Sequence, residues 1–263
     1  MLQRMALMAA TNDTGSANPI TLFGSKLEGW YAPTSSFTEV SGAVSQWSDL
    51  GPRGNHLAQS TALERPVRGT FAGRNAVIFD GTDDNLITNN LIPMKTAIIA
   101  VFGHPNNNSS PPFVWSGHEA SLANRIHDLH LQSNGSIRAV QNDAGPYADT
   151  PTSTAQSFYD DCILAAGYGD VLDTAFRAHL NGRSVAMSVT PTGSTTILRC
   201  QRFGRRGDGN FPCQARFTEI IMISDWLVPD IEKAEGYLAW KYGGNPLSRL
   251  ITTHPYKSAA PTV

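Results

Sequence analysis

Short runs in which apolar and polar residues alternate fill the chain from about residue 20 to about residue 224, and Gly, Pro, Asn and Asp separate them. Runs with this period of two predict β-strands. The clearest ones begin at Ala76, Thr96, Pro112, His127, Cys162, Ala175, Thr195 and Ala215. Because helical segments do not alternate with these strands, the pattern predicts an all-β fold with two packed antiparallel sheets, a jelly-roll sandwich.

One helix is predicted near the C-terminus, in the stretch VPDIEKAEGYLAWKYGG. Pro229 suits the first helical position, Asp230 favours the positive end of the helix dipole, and Gly243 can end the helix. The apolar stripe expected to face the core consists of Ile231, Ala234 and Leu238.

The pattern divides the chain into three parts: an N-terminal arm (1–18), one β-domain (19–248) and a Pro-bearing C-terminal tail (249–263). The arm has no strand or helix periodicity, and its apolar run of about five residues is shorter than the roughly 7–15 of a signal-peptide core. Apolar side chains next to a flexible polar stretch favour contact with a partner. The predicted anchoring residues are Leu2, Met5, Leu7 and Met8.

Composition excludes several classes of function. The net charge is -2, only 16% of the 263 residues are charged, and basic residues do not cluster as a nucleic-acid-binding protein requires. Elsewhere the longest apolar run, TAIIAVFG, is far below the roughly 20 residues that span a bilayer, so no membrane insertion is expected. The three cysteines lack metal-ligand spacing. The sequence neither predicts nor excludes a disulfide bond between Cys200 and Cys213.

Several motifs together resemble the laminin-G-like, concanavalin-A-like lectin/glucanase superfamily. They are AVSQWSDLGPRGNHLAQ from Ala43, NAVIFDGTDDNL from Asn75 and the pair EIIMIS and YLAWKYG near the C-terminus. The final HPYKSAAPT resembles the ends of such domains in bacteriophage structural proteins. The resemblance implies a two-sheet jelly roll and a component of a phage particle.

The stretch FDGTDDNL places three aspartates within five positions. Asp80 and Gly81 are typical of a tight turn whose amides are satisfied by Asp oxygens. The resemblance implies a second interpretation, a calcium site to which Asp83 and Asp84 contribute, since Ca²⁺ takes 6–8 oxygen ligands. Both interpretations stay open, and no other cofactor is expected.

No catalytic residue is predicted. Glucanases of the superfamily carry two glutamates and an aspartate at alternating positions of one strand, so that the carboxyl groups flank a glycosidic bond. In the corresponding FTEIIMIS, Glu219 is followed on its own face by Ile221 and Ile223. We therefore expect Glu219 to stand alone in a strand that is buried on both faces.

Two loops are candidates for glycan binding, because Asn and Ser side chains can hydrogen-bond sugar hydroxyls while an aromatic ring contacts the sugar face. The candidate residues are Asn106, Asn107, Trp115 and His118. Trp47 and Asp49, in QWSDLGPRGNHL, are expected instead to anchor the core and to accept hydrogen bonds from loop amides.

The main functional hypothesis is a non-enzymatic virion structural protein, a capsid decoration, head-fibre or tail-associated component. It would assemble in the host cytoplasm, form a homo-oligomer, bind other virion proteins through its arm and contact host glycans. The alternative is a carbohydrate-binding module, viral or secreted, that recognises a polysaccharide. A glycoside hydrolase is the least favoured interpretation.

Overall fold

The structure is a computed structural model, and it describes most of the chain. The described residues are 17–93, 95–104, 113–118, 125–131, 137–141, 147–149, 162–168, 176–186, 198–206 and 210–263.

The described part of the chain is mostly β, as predicted. Its strands are β1 (Leu27–Tyr31), β2 (Phe37–Val40), β3 (Ala43–Trp47), β4 (Leu57–Ala58), β5 (Val67–Phe71), β6 (Arg74–Ile78), β7 (Leu86–Thr88), β8 (Ile92–Pro93), β9 (Thr96–Gly103), β10 (Phe113–His118), β11 (Arg125–Leu131), β12 (Ile137–Gln141), β13 (Tyr147–Asp149), β14 (Cys162–Tyr168), β15 (Phe176–Leu180), β16 (Arg183–Val185), β17 (Leu198–Phe203) and β18 (Arg216–Ser224). Antiparallel pairings link these strands into one sheet.

Three α-helices are present in the described residues: α1 (Pro19–Phe23), α2 (Val228–Tyr242) and α3 (Gly244–Arg249). The predicted C-terminal helix is α2, whereas α1 and α3 were not predicted. Gly243 has a φ of 55°, which ends α2 and allows the chain to start α3 immediately. The Asn18 side chain caps α1 by accepting from the amides of Ile20 and Thr21 at 2.9 and 3.1 Å.

The central strands are buried on both faces. β9 lies between β14 and β18, and all eight of its residues are buried. Ile98, Ala100 and Phe102 belong to one apolar cluster, whereas the alternating Ala97, Ile99 and Val101 belong to a second cluster. The sheet therefore separates two cores.

The first core is rich in aromatic side chains contributed by distant strands. Phe217 of β18 contacts Phe102 of β9 and Phe203 of β17, with ring centroids 5.2 and 5.7 Å apart. Trp47 is fully buried in the same cluster, as predicted. These ring contacts bring side chains of β9, β17 and β18 together in one apolar cluster.

The second core lies under α2. Ile231, Ala234 and Leu238 are fully buried there, which confirms the predicted stripe. The chain after α3 packs against the same region. Leu250 is buried, and the Lys257 ammonium donates to the carbonyls of Leu247, Ser248 and Leu250 at 2.7, 3.0 and 2.7 Å.

All three cysteines are free thiols, so Cys200 and Cys213 are not bridged in this structure. Burial raises the pKa of Cys213, which keeps its thiol protonated. Among the described helices, none has the length and apolar character needed to cross a membrane.

Candidate functional site

Strand β18 changes its partner at one edge, and this change positions the candidate site. One edge pairs with β9 along most of its length. The other edge pairs with β6 at residues 216 and 217 and with β1 at residues 220 to 223. A register shift between Phe217 and Glu219 lies at this junction. Such a bulge re-aims side chains and directs Glu219 away from the aromatic core.

Glu219 is fully buried and accepts three hydrogen bonds. The Trp30 indole donates to Oε1 at 2.7 Å, the Lys241 ammonium donates to Oε2 at 2.6 Å, and the Tyr242 hydroxyl also donates to Oε2. The strand is buried on both faces, as predicted, but Glu219 does not stand alone. Its charge is paired with a lysine, and both of its oxygens have partners.

Aromatic rings surround Lys241. Its Nζ lies 5.6 Å from the centroid of Trp30, 5.3 Å from that of Tyr237 and 5.5 Å from that of Tyr242. Nζ also donates to the Tyr237 hydroxyl at 3.0 Å. The three aromatic residues are each half-buried, so part of each stays at the surface. We call Trp30, Glu219, Tyr237, Lys241 and Tyr242 the Lys241 site.

Both tyrosines of the Lys241 site are held in the protonated form. Burial, followed by the nearby Glu219 carboxylate, raises the pKa of Tyr237 and of Tyr242 above the ordinary value. A protonated Tyr242 can donate to Glu219, in agreement with its contact. The neutral Tyr242 hydroxyl donates to Glu219, and the neutral Tyr237 hydroxyl accepts from Lys241.

The Lys241 site is hard to predict from the sequence alone. Trp30 and Glu219 are 189 positions apart, and Lys241 and Tyr242 lie in the last turn of α2. The available signal is an acidic residue inside an otherwise apolar strand. Such a carboxylate requires a cationic or hydrogen-bonding partner, and a lysine at the end of the following helix is within reach.

A second buried glutamate, Glu235, lies on α2 between two histidines. His179 Nδ1 of β15 lies 3.4 Å from its carboxylate, and His254 Nε2 of the C-terminal segment lies 3.3 Å from Oε2. Burial alone would raise the pKa of Glu235, but the hydrogen bonds from both histidines outweigh it and lower the pKa.

The three aspartates of FDGTDDNL form a tight turn. The Asp84 carboxylate accepts from the Asp80 amide at 2.8 Å, and the Asp80 carboxylate accepts from the Thr82 amide at 2.7 Å. One oxygen each of Asp80, Asp83 and Asp84 lies within 4.8 Å of the others. The turn is thus shown, and calcium binding at Asp83 and Asp84 stays a prediction. Burial, with a smaller contribution from neighbouring aspartates, raises the pKa of Asp84 to about 6.

The loop after β3 also follows the prediction. Asp49 Oδ1 accepts from the amides of Trp30 and Gly51 at 2.8 and 2.7 Å, while its Oδ2 accepts from the Asn55 amide at 2.9 Å. Asp49 therefore shapes the loop and ties it to β1.

Of the four predicted glycan-binding residues, only Trp115 has a side chain that the structure describes. Trp115 is only 1% exposed and packs against Phe203, so its ring offers no face to a sugar. The prediction is therefore wrong for Trp115, which lies on the face of β10 that contributes to the aromatic core, and it stays a prediction for the other three residues. His118 pairs with Cys200 in the sheet. Asn106 and Asn107 lie outside the described residues.

The predicted anchoring residues Leu2, Met5, Leu7 and Met8 also lie outside the described residues. Binding to a partner through the arm and assembly into a homo-oligomer therefore stay predictions.

No protein-family model and no curated protein sequence matches the chain. Solved structures do match its fold. Trypanosoma rangeli sialidase in complex with the inhibitor DANA matches with a TM-score of 0.56 and 12% identity, over 84% of this chain and 34% of the sialidase chain. An arabinofuranosidase complexed with arabinofuranosyl-alpha-1,2-xylobiose matches with a TM-score of 0.56 and 12% identity, over 82% of this chain and 63% of that chain.

This chain thus spans about a third of the length of the sialidase that it matches. The matches show a β fold shared with parts of glycosidase chains, and at 12% identity the likeness concerns the fold alone. These matches contradict the main hypothesis of a virion structural protein, because the solved structures that share the fold are carbohydrate-active enzymes. The specific laminin-G-like resemblance stays a prediction.

Proposed function

We propose that the protein is a non-catalytic carbohydrate-binding domain whose ligand contacts the Lys241 site. The observation that carries the proposal is the group of three half-buried aromatic side chains around one partly exposed lysine. Ligand sites combine apolar and aromatic surface with a few fixed polar groups. Tyr and Trp suit a sugar because each presents an apolar ring together with a hydrogen-bonding group.

The Lys241 site is held in place before any ligand arrives. Glu219 fixes Trp30 through its indole nitrogen and fixes Tyr242 through its hydroxyl. The Lys241 ammonium is held between Glu219 and Tyr237. Side chains that are already ordered lose little conformational entropy on binding, so a modest contact area can give useful affinity.

The geometry supports binding rather than hydrolysis. Glycoside hydrolysis ordinarily uses two carboxyl groups that flank the scissile bond. Glu219 is fully buried and engaged by three donors, and no second carboxylate occurs among its described contacts. The raised pKa of Tyr242 also argues against a tyrosine nucleophile.

Fold likeness supports a saccharide as the class of ligand. The sialidase and the arabinofuranosidase are described in complex with a sialidase inhibitor and with an arabinofuranosyl-xylobiose, respectively. The contact between the rings of Phe203 in β17 and Phe217 in β18 is compatible with a jelly-roll sandwich, in which side chains of two sheets meet in one core. We therefore interpret the chain as a β-sandwich module of the kind that accompanies or forms part of carbohydrate-active proteins.

A glycan array followed by calorimetry with the best saccharide tests the proposal. We expect Tyr237→Ala to weaken binding by at least about tenfold, equivalent to about 1.4 kcal/mol. The matched control is Phe211→Ala, which removes an aromatic residue that is 38% exposed and stacks on Arg206 instead. Thermal melts verify that both variants fold.

Two outcomes would contradict the proposal. One is equal binding by wild type and Tyr237→Ala, which would place the saccharide elsewhere. The other is release of sugar from the bound saccharide by the wild-type protein, because a non-catalytic domain leaves its ligand intact.

A further inference from the structure

Three separate elements meet at Glu235. The carboxylate comes from α2, His179 comes from β15, and His254 belongs to the segment that follows α3. The Glu235 and His254 side chains are 0% and 1% exposed, and the His179 side chain is 9% exposed. The contact between His254 and Glu235 thus fastens the C-terminal segment to the helix.

The hydrogen bonds of His254 define its protonation state. Its Nδ1 accepts from the Tyr256 amide at 3.2 Å, which requires a free lone pair on that nitrogen. The ring proton must then be on Nε2, which faces Glu235 Oε2 at 3.3 Å and donates to it. In this arrangement a neutral imidazole bridges an amide donor and a carboxylate acceptor.

The charges around Glu235 come from a small set of groups. Burial raises the pKa of Glu235, and the two histidines, which are the titratable groups that act on it, lower that pKa. Arg177 lies two positions before His179 on the same face of β15, and Glu232 and Lys233 precede Glu235 on α2. Lys257, in the C-terminal segment, is directed at backbone carbonyls after α3. The two imidazoles are therefore the side chains in hydrogen-bonding distance of the Glu235 carboxylate.

Tyr256 connects His254 to the surface of α2. Its ring covers Gly236, where an added Cβ would lie 2.5 Å from the Cβ of Tyr256. Its carbonyl accepts from the Trp240 indole at 2.8 Å. Trp240 is 38% exposed, and it lies three positions after Tyr237, which makes these two side chains neighbours on the helix surface.

We propose that His254 is a proton-operated latch, which on taking up a proton at Nδ1 releases Tyr256 and the following residues from α2 and frees the Trp240 indole. The proton comes from solvent and occupies the lone pair that had accepted the Tyr256 amide proton. Two N–H groups then face each other, so the hydrogen bond is lost and the Tyr256 amide is left without its acceptor.

The consequence for ligand binding rests on the proposed function. Trp240 adjoins the Lys241 site along α2, so release of Tyr256 changes the surface next to that site. We expect saccharide affinity to differ between neutral and mildly acidic pH, with the docked segment present at neutral pH. The latch itself does not depend on any ligand.

The test follows the indole N–H resonances of ¹⁵N-tryptophan-labelled protein, without saccharide, from about pH 8 to about pH 5, the range in which imidazoles change charge. Substitution of single tryptophans by Phe assigns the resonances. We expect the Trp240 indole resonance to shift along one titration curve. The Trp30 indole, which donates to Glu219, serves as an internal control and should stay in place.

Two variants sharpen the test. His254→Gln removes the titrating ring and should make the Trp240 resonance independent of pH over that range. His56→Gln is the matched control, because His56 Nδ1 also accepts a backbone amide, that of Asp49 at 3.1 Å, away from the C-terminal segment. This variant should retain the wild-type titration of Trp240.

If His254→Gln does not fold, the backbone amide resonance of Tyr256 in the wild-type protein gives the same information. A Trp240 or Tyr256 resonance that stays in place in the wild type, or one that titrates unchanged in His254→Gln, would overturn the latch. Because no saccharide is present, failure of the latch is distinct from failure of carbohydrate binding.

Discussion

Glu219 and Glu235 are both fully buried between the sheet and α2, yet different side chains compensate their charges. Glu219 accepts from a lysine, an indole and a phenol, whereas Glu235 lies between two imidazoles. A lysine ammonium stays charged until about pH 10, but an imidazole changes charge near neutral pH. The partners therefore decide whether a buried carboxylate forms a permanent support or a pH-sensitive contact.

The positions of the two glutamates fit this difference. Glu219 supports the half-buried rings of the Lys241 site, which must keep their geometry in order to bind a ligand. Glu235 holds the C-terminal segment through His254, and that segment reaches the same helix surface at Trp240. Glu219 thus holds the side chains of the proposed binding surface, and Glu235 holds the segment that contacts α2 next to that surface.

The largest expected effect is on stability and concerns the lysine. Lys241→Met leaves the fully buried Glu219 carboxylate without a cation, and we expect a loss of about 3 kcal/mol in the free energy of unfolding, because a buried charge without its partner is strongly destabilising. Urea denaturation at neutral pH measures this loss. The double variant Lys241→Met with Glu219→Gln should recover much of it, since an amide carries no charge. A single variant as stable as the wild type would show that Lys241 does not compensate Glu219.

A smaller effect, with a distinct pH dependence, is expected for Glu235→Gln. The folded state lowers the pKa of Glu235 below 4.5, so its carboxylate contributes stability that is present above pH 4.5 and is lost as pH falls through the folded-state pKa. We expect the variant to lose about 1–3 kcal/mol at neutral pH, the cost of disrupting buried hydrogen bonds.

Urea denaturation at a series of pH values checks this prediction. The stabilities of wild type and Glu235→Gln should converge as the pH is lowered. A constant difference across the series would mean that ionisation of Glu235 does not contribute to stability.

The fold and the Lys241 site differ in how far the sequence could predict them. Strand β9 begins and ends where its apolar run does, at Thr96 and Gly103, because a strand buried on both faces must be apolar at consecutive positions. Helix α2 was also found from its Pro, its Gly and its apolar stripe. These features depend on local composition and spacing.

The Lys241 site could not be found in the same way. The apolar pattern places Glu219 on a face but does not show that Trp30 and Lys241 reach that face, since strand pairing and helix packing decide it. For the same reason Trp115 was misplaced, because an aromatic residue in a strand can face either a core or solvent. Helix α1 was missed although Asn18 and Thr21 form a capping box.

Asp84 extends the comparison to a buried carboxylate whose described hydrogen bond comes from a backbone amide. Its pKa is raised to about 6 from 3.8, so the folded state favours the protonated form, and stability falls as pH rises through that interval. Asp84→Asn keeps an oxygen acceptor for the Asp80 amide and removes the charge. Without calcium, we expect the variant to be about 1 kcal/mol more stable at neutral pH.

Thermal melts with EDTA and with added calcium complete this test. Calcium that raises the Tm of the wild type but not that of Asp84→Asn would support the predicted metal site. An Asp84→Asn variant that is less stable than the metal-free wild type at neutral pH would contradict the interpretation that burial destabilises the charged Asp84 carboxylate.

The most direct test of the central claim, that the Lys241 site binds saccharide, is titration of ¹⁵N-tryptophan-labelled protein at neutral pH with the saccharide selected by the glycan array. We expect the indole resonance of half-buried Trp30 to shift on binding, while those of Trp47, Trp115 and Trp226, which are at most 3% exposed, stay in place. A saccharide that binds and leaves the Trp30 resonance unchanged would contradict the assignment of the Lys241 site.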